Sequence, residues 1–160
     1  IVIGENIAST SAKFMVFSQP ETTYDILYKD ESLTLTSNIY IYGGAIEVDN
    51  SGIYTAFNFE GTVTGTGKNE HGKVVKINVT SKGTGANTLL IKFNTDYTII
   101  NYCVIGDGTN FFTTSRIRKG NDGTIWLSGA MNSGTANMGN ETITTLGNKS
   151  IWAANYPAEV

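Results

Sequence analysis

Residues 65–75, GTGKNEHGKVV, contain Gly67-x-x-x-x-Gly72-Lys73, the spacing of a phosphate-binding loop. A working loop of that kind needs glycine amides facing phosphate, a lysine, then Ser or Thr for Mg²⁺, with a helix starting there. Here Val74 takes the Ser/Thr place, and VVKINVT alternates as a strand does. The stretch therefore predicts a glycine-rich hairpin turn. Lys68, His71 and Lys73 still crowd three potential cations into six residues, enough to hold an anion loosely.

Other chemistry is sparse. Glu47 and Asp49 lie two apart on a strand-like run and so share a face. Such a pair could flank a glycosidic bond or bind calcium, but the continuation DNSG makes Asp49 a turn former that bonds its own backbone. His71 is the single histidine and Cys103 the single cysteine, 32 residues apart. Together they supply neither a zinc site nor a Cys-His pair, and no G-x-S-x-G elbow is present. Cys103 lies in the apolar run TIINYCVI and reads as a buried small hydrophobe. No residue is assigned to catalysis or to a metal, and the chain is read as non-enzymatic.

Aromatic residues are the better clue to function. Eight Tyr, seven Phe and two Trp make up 11% of the chain. Alternation sends Tyr40, Tyr42 and Tyr54 outward, with Asn58 beside them. Rings flanked by Asn, Asp and Thr suit sugar recognition, because a sugar's C–H face stacks on the ring while its hydroxyls bond the polar neighbours. These four residues are the expected carbohydrate contacts. The competing reading buries the same rings in a second sheet or against another subunit. Trp126 in TIWLSG and Trp152 in SIWAAN, both flanked by apolar residues, read as core.

The elements that position these residues are strands. GIYTAFNFE puts Ile53, Thr55, Phe57 and Phe59 on one face, KVVKINVTS puts Val75, Ile77 and Val79 inward, and NTLLIKFN does the same with Leu89, Ile91 and Phe93. NIYIYG, aromatic on one face and β-branched on the other, is a candidate for cover on both. Turn signals recur every 8 to 14 residues or so, the rhythm of a sandwich or barrel. Asp122-Gly123 predicts a two-residue type I′ turn. The expected fold is all-β: an antiparallel β-sandwich, jelly-roll-like, of about ten strands. Residues 1–12 read as a connector from an upstream shaft and 13–160 as one sandwich domain. SGAMNSGTANMGNETITTLGN is loose and polar, a surface loop, a mobile arm or a segment ordered by a neighbouring subunit.

Composition agrees with this. At 160 residues the chain is long enough for one real core. Charged residues are only 16%, with 18 Gly and two Pro. A net charge of −3 and a pI near 5.1 argue against nucleic acid as a partner, which needs a basic face. The one basic cluster, Arg116-Ile117-Arg118-Lys119, alternates as a half-exposed strand would. No run approaches the ~20 apolar residues of a membrane helix, so no membrane insertion is expected.

IVIGENIASTSAKF resembles the exit from a fibrous β-shaft into a head. GDGTNFFTTSRIRKGNDGTIWLSG and NETITTLGNKSIWAANYPAEV are similar in texture to the terminal domains of bacteriophage tail spikes, fibres and appendages. That resemblance implies a homotrimeric β-sandwich at the tip of a virion, binding host cell-surface glycan. A narrower resemblance is to the C-terminal domain of the preneck appendage proteins of small Bacillus phages. It implies an intramolecular chaperone that promotes trimerisation, cleaves itself off at its own start and uses ATP for release. Here the chain opens Ile1-Val2-Ile3 without the Ser-Asp junction of such a cleavage, and Glu5 is the one acidic residue near it. No cofactor is expected under the first resemblance, and ATP under the second.

Overall fold

The computed structural model describes residues 2–8, 10–18, 27–83, 85–108, 111–138, 141–145 and 147–157. Every regular element among them is a strand. The first nine are β1 (Val2–Ala8), β2 (Ser11–Ser18), β3 (Leu27–Ser37), β4 (Tyr40–Asp49), β5 (Gly52–Glu60), β6 (Thr62–Lys68), β7 (Val74–Thr80), β8 (Asn87–Phe93) and β9 (Ile99–Ile105). Then follow β10 (Asp107–Gly108), β11 (Phe112–Lys119), β12 (Thr124–Asn132), β13 (Thr135–Met138), β14 (Glu141–Thr144) and β15 (Lys149–Pro157). The count of fifteen exceeds the ten or so expected, because the C-terminal third is far richer in short strands than its composition suggests.

The strands form four antiparallel sheets, ordered β1-β2-β3-β6-β7, β4-β5-β8-β9, β11-β12-β15 and β10-β13-β14. The chain crosses between the first two at β3–β4, β5–β6 and β7–β8, which sews them into a sandwich. Their shared core holds Phe14, Leu33, Leu35, Phe57, Phe59, Leu89, Ile91 and Phe93, with Phe14 and Phe93 stacked 4.2 Å apart. Val2–Ala8, read as a connector, pairs with β2 as the edge strand of the first sheet.

A third layer lies beyond the second sheet. Tyr54, Ala56 and Leu90 project away from the first core into another, built with Phe112, Ile117, Ile125, Leu127, Met131 and Trp152. In an extended strand successive side chains alternate sides, so β5 feeds one core with Ile53, Phe57 and Phe59 and the other with Tyr54 and Ala56. The middle sheet is thus covered on both faces. Met131 and Met138 are buried in the second core, so the loose-looking segment after Ser128 is structured through β12, β13 and β14. Leu146, Gly139 and Asn140 within it lie outside the described residues.

Gly106 shows how tightly the third layer docks. Its φ is +80°, and a side chain there would overlap the Phe112 ring, itself stacked 4.5 Å from Trp152. Only glycine meets both demands cheaply.

Three hairpin loops, 69–73, 94–98 and 120–124, share one geometry. In each, the first residue's N–H donates to the fifth residue's carbonyl, and the fourth residue's N–H donates back to the first carbonyl. The fourth residue is left-handed: Gly72 (φ 71°), Tyr97 (φ 69°) and Gly123 (φ 81°). This is a type I turn closed by a left-handed residue. It replaces the two-residue type I′ turn expected at Asp122-Gly123, since Asp122 keeps negative φ and instead accepts from the Thr124 N–H at 3.1 Å.

Candidate functional site

The glycine-rich stretch is settled by its backbone. Lys68 pairs with Val74 across β6–β7, and β7 runs as a strand from Val74. The Asn69 side-chain oxygen accepts from the His71 and Lys73 amides, both at 3.0 Å, and the Asn69 carbonyl accepts from Gly72 at 2.9 Å. The amides a phosphate would need are turned inward onto one asparagine. Lys68, His71 and Lys73 are exposed, with His71 3.4 Å from Glu70. They offer side-chain charge without a backbone cradle.

The carboxylate pair and the basic cluster find each other. Glu47 and Asp49 on β4 face the end of β11, where Arg118 lies 2.8 Å from Glu47 and Lys119 lies 2.6 Å from Asp49. Desolvation acts to raise the Asp49 carboxyl, but hydrogen bonds from Lys119 and Ser51 overcome it and hold the group down at about 2. A carboxylate so held is a poor proton donor near neutral pH. These residues tie the second sheet to the third. Burial pushes the Cys103 thiol up to about 11, leaving it protonated and unreactive. Among the described residues no group of three His, Cys, Asp or Glu side chains could hold a metal.

Two of the four expected sugar contacts are interior. Tyr54 is 4% exposed and Asn58 1%, because the third layer covers the face of β5 that alternation turns away from the first core. Asn58 is a joint between sheets. Its amide donates to the Thr114 carbonyl at 2.9 Å, and its oxygen accepts from the Thr114 N–H and the Thr88 hydroxyl, each at 2.8 Å. Tyr40 and Tyr42 are partly buried on the edge strand β4, their rings stacked at 6.0 Å. Desolvation, with Glu60 beside it, pushes the Tyr40 hydroxyl up to about 12. A nearby crevice of about 190 Å³, lined by Phe14, Gly43, Gly44 and Phe57 among others, has Thr55 as its one polar side chain. That hydroxyl already donates to the Ile91 carbonyl at 3.3 Å, so no side-chain donor is left free in the crevice.

The best-placed ring is one the sequence reading assigned to the core. Trp126 is 50% exposed, whereas Trp152 is 4% exposed and buried as expected. Ile125 and Leu127 take the inward positions of β12, which sends Trp126 to the outer face of the β11-β12-β15 sheet. Strand period alone would have found this; the apolar flanks argue for the opposite face, not for burial.

On that outer face Trp126 sits between Arg118 of β11 and Asn155 of β15. One row along, Ser128 lies between Arg116 and Ala153, and the next places Ala130 between Thr113 and Ile151. Ser128, Ala130 and Ala153 make a low floor. At about 3.3 Å per residue it runs roughly 13 Å from the Trp126 row to the Ile151 row. Ile151 at its far end is 89% exposed. The result is an aromatic wall over a shallow floor, rimmed by an amide and guanidinium groups. Such a surface can stack a ring-shaped polar ligand and bond its periphery.

Comparison with protein-family models, with curated proteins and with solved structures finds no match.

Proposed function

We propose that this domain is a non-enzymatic carbohydrate-binding module, the distal part of a phage tail spike, fibre or appendage, held as a homotrimer and presented to host-surface glycan. The observation that carries the reading is Trp126, half-exposed above a floor of small residues, with Asn155 and Arg118 on either side. The phage assignment rests on the resemblance of the chain's texture to such heads. Binding at one shallow face is weak by itself, and three copies convert it into durable attachment through effective concentration. Tyr40 and Tyr42 form a secondary aromatic patch.

A glycan array on the domain tests this directly. Binding should vanish in Trp126→Ala and persist in Tyr42→Ala. Light scattering should give three times the chain's 17.2 kDa; a monomer that still binds sugar would indicate a bacterial carbohydrate-binding module instead.

A second reading, an intramolecular chaperone that registers three chains, is favoured by Ile151, whose near-complete exposure suits a subunit contact. It predicts silence on every glycan and loss of the trimer in Ile151→Asp. The ATP-driven release that goes with it draws no support from the 69–73 turn, where the His71, Gly72 and Lys73 amides are already bonded to Asn69.

A further inference from the structure

The three strands beneath Trp126 read FTTSRIRK, TIWLSGAMN and KSIWAANYP. They contain no Asp or Glu, yet they carry Arg116, Arg118, Lys119 and Lys149, four of the chain's 11 Lys and Arg residues. The whole chain has 14 acidic residues and a net charge of −3. Positive charge is therefore concentrated on one sheet of an acidic protein.

The cations differ in how they are used. Lys119 points toward the carboxylates of β4 and is bound to Asp49 and Ser51. Arg118 gives one guanidinium nitrogen to Glu47 at 2.8 Å. Arg116 pairs across β12 with Ser128, so it projects from the same face as Trp126, and no acidic partner reaches it among the described residues. Lys149 pairs with Asn132, again on the outer face, and likewise has no acidic partner there. Diagonal neighbours on a sheet face lie about 7–8 Å apart, within reach of long side chains. The free Arg116 fork thus sits one diagonal step from the Trp126 ring.

We infer that the Trp126 face takes an anionic glycan: a sugar stacks on Trp126 while its carboxylate or phosphodiester is held by Arg116, with Lys149 attracting the continuing chain. This rests on the carbohydrate reading above and narrows it. An arginine fork matches either anion bidentately, which a lysine does not. The surplus charge also speeds encounter with a polyanion at low salt. Single-stranded nucleic acid shares aromatic stacking and phosphate contacts, but it needs a groove of cations tracking several phosphates. Two free cations at this face favour a sparsely charged glycan.

Titration calorimetry on the intact chain tests the inference with four probes: a galacturonate oligosaccharide, a glycerol-phosphate polymer, an uncharged galactose oligosaccharide and a single-stranded DNA oligonucleotide of similar length. One of the first two should bind at least tenfold tighter than the uncharged sugar, and the stronger names the anion. Arg116→Gln should erase that preference, whereas Lys68→Gln in the hairpin turn should leave it intact. Both sites are exposed, so an unchanged thermal midpoint verifies that each variant folds. Equal binding of charged and uncharged sugars would overturn the anionic inference and leave the carbohydrate reading standing. Binding of DNA alone, or of none of the four, would overturn both.

Discussion

Strands β5 and β12 each carry an aromatic residue and a small one on alternating positions, yet the molecule uses them in opposite ways. β5 lies in the middle of three layers, so both of its faces are interior: Tyr54 enters the second core and Asn58 is locked to Thr114 and Thr88. β12 lies in the outermost layer, so one face builds the core and the other meets solvent with Trp126. Layer position, and not residue type, decides which side chains are left for a ligand. A polar residue deep in the stack becomes a joint, and a large apolar residue on the last sheet becomes a surface.

The two tryptophans break this contrast most visibly if it is wrong. Trp152→Ala removes a ring stacked on Phe112 and should cost about 4 kcal/mol of stability, the range for a buried large-to-small change. Trp126→Ala should cost no more than about 0.5 kcal/mol, as surface changes do. Urea unfolding of both variants measures the difference, and comparable losses would place Trp126 in a core. Next in size is Asn58→Ala. It strands the Thr114 N–H and carbonyl and the Thr88 hydroxyl in a dry interior, and should destabilise by about 3 kcal/mol on the same assay. A loss under 1 kcal/mol would mean that water reaches the seam.

The ion pairs joining β4 to β11 sharpen the comparison through pH. The Asp49 carboxyl is held at about 2 in the fold against 3.8 ordinarily. A depressed folded value stabilises above the unfolded one, so the contribution is present above about pH 4 and is lost as pH falls toward 2. Hydrogen bonds from Thr98 and Thr124 lower Asp96 and Asp122 in the same direction. Asp49→Asn should therefore flatten part, but not all, of the acid slope in thermal midpoint. Tyr40 works in the other direction. Its hydroxyl, raised to about 12, contributes fully below pH 10 and loses that contribution as pH climbs toward 12. Tyr40→Phe should remove that alkaline loss.

The smallest effect is expected at Tyr97, the one left-handed non-glycine among the described residues. Tyr97→Gly relieves a backbone cost of about 1 kcal/mol but gives up the ring packed against the first core. A net change within about 1 kcal/mol in either direction is expected by denaturant unfolding. A larger loss would make the ring itself the reason the strain is kept.

Much of the first core was legible because its signal is local. Ile53, Phe57 and Phe59, then Leu89, Ile91 and Phe93, alternate strictly, and that pattern places them inward without reference to the rest of the chain. The second layer of cover over β5 was not legible. Asn58 meets Thr114, 56 residues away, and nothing in GIYTAFNFE announces that partner. Alternation within β5 turns Tyr54 and Asn58 outward for the same reason. Trp126 is legible in principle, since Ile125 and Leu127 already occupy the inward phase, but the apolar neighbours in TIWLSG point by themselves to burial. The hairpin at residues 69–73 was read correctly because Val74 denies the loop its hydroxyl and β7 denies it a helix.

The most direct test of the central claim, that the outer face of the β11-β12-β15 sheet is where ligand binds, is amide and indole chemical-shift mapping of the labelled domain titrated with the best glycan from the array. The account predicts shifts concentrated at Arg116, the Trp126 indole, Ser128 and Asn155, with the Tyr40–Tyr42 edge and the 69–73 turn unmoved. Shifts confined to Tyr40 and Tyr42, or to Lys68 and Lys73, with the Trp126 indole stationary, would contradict it.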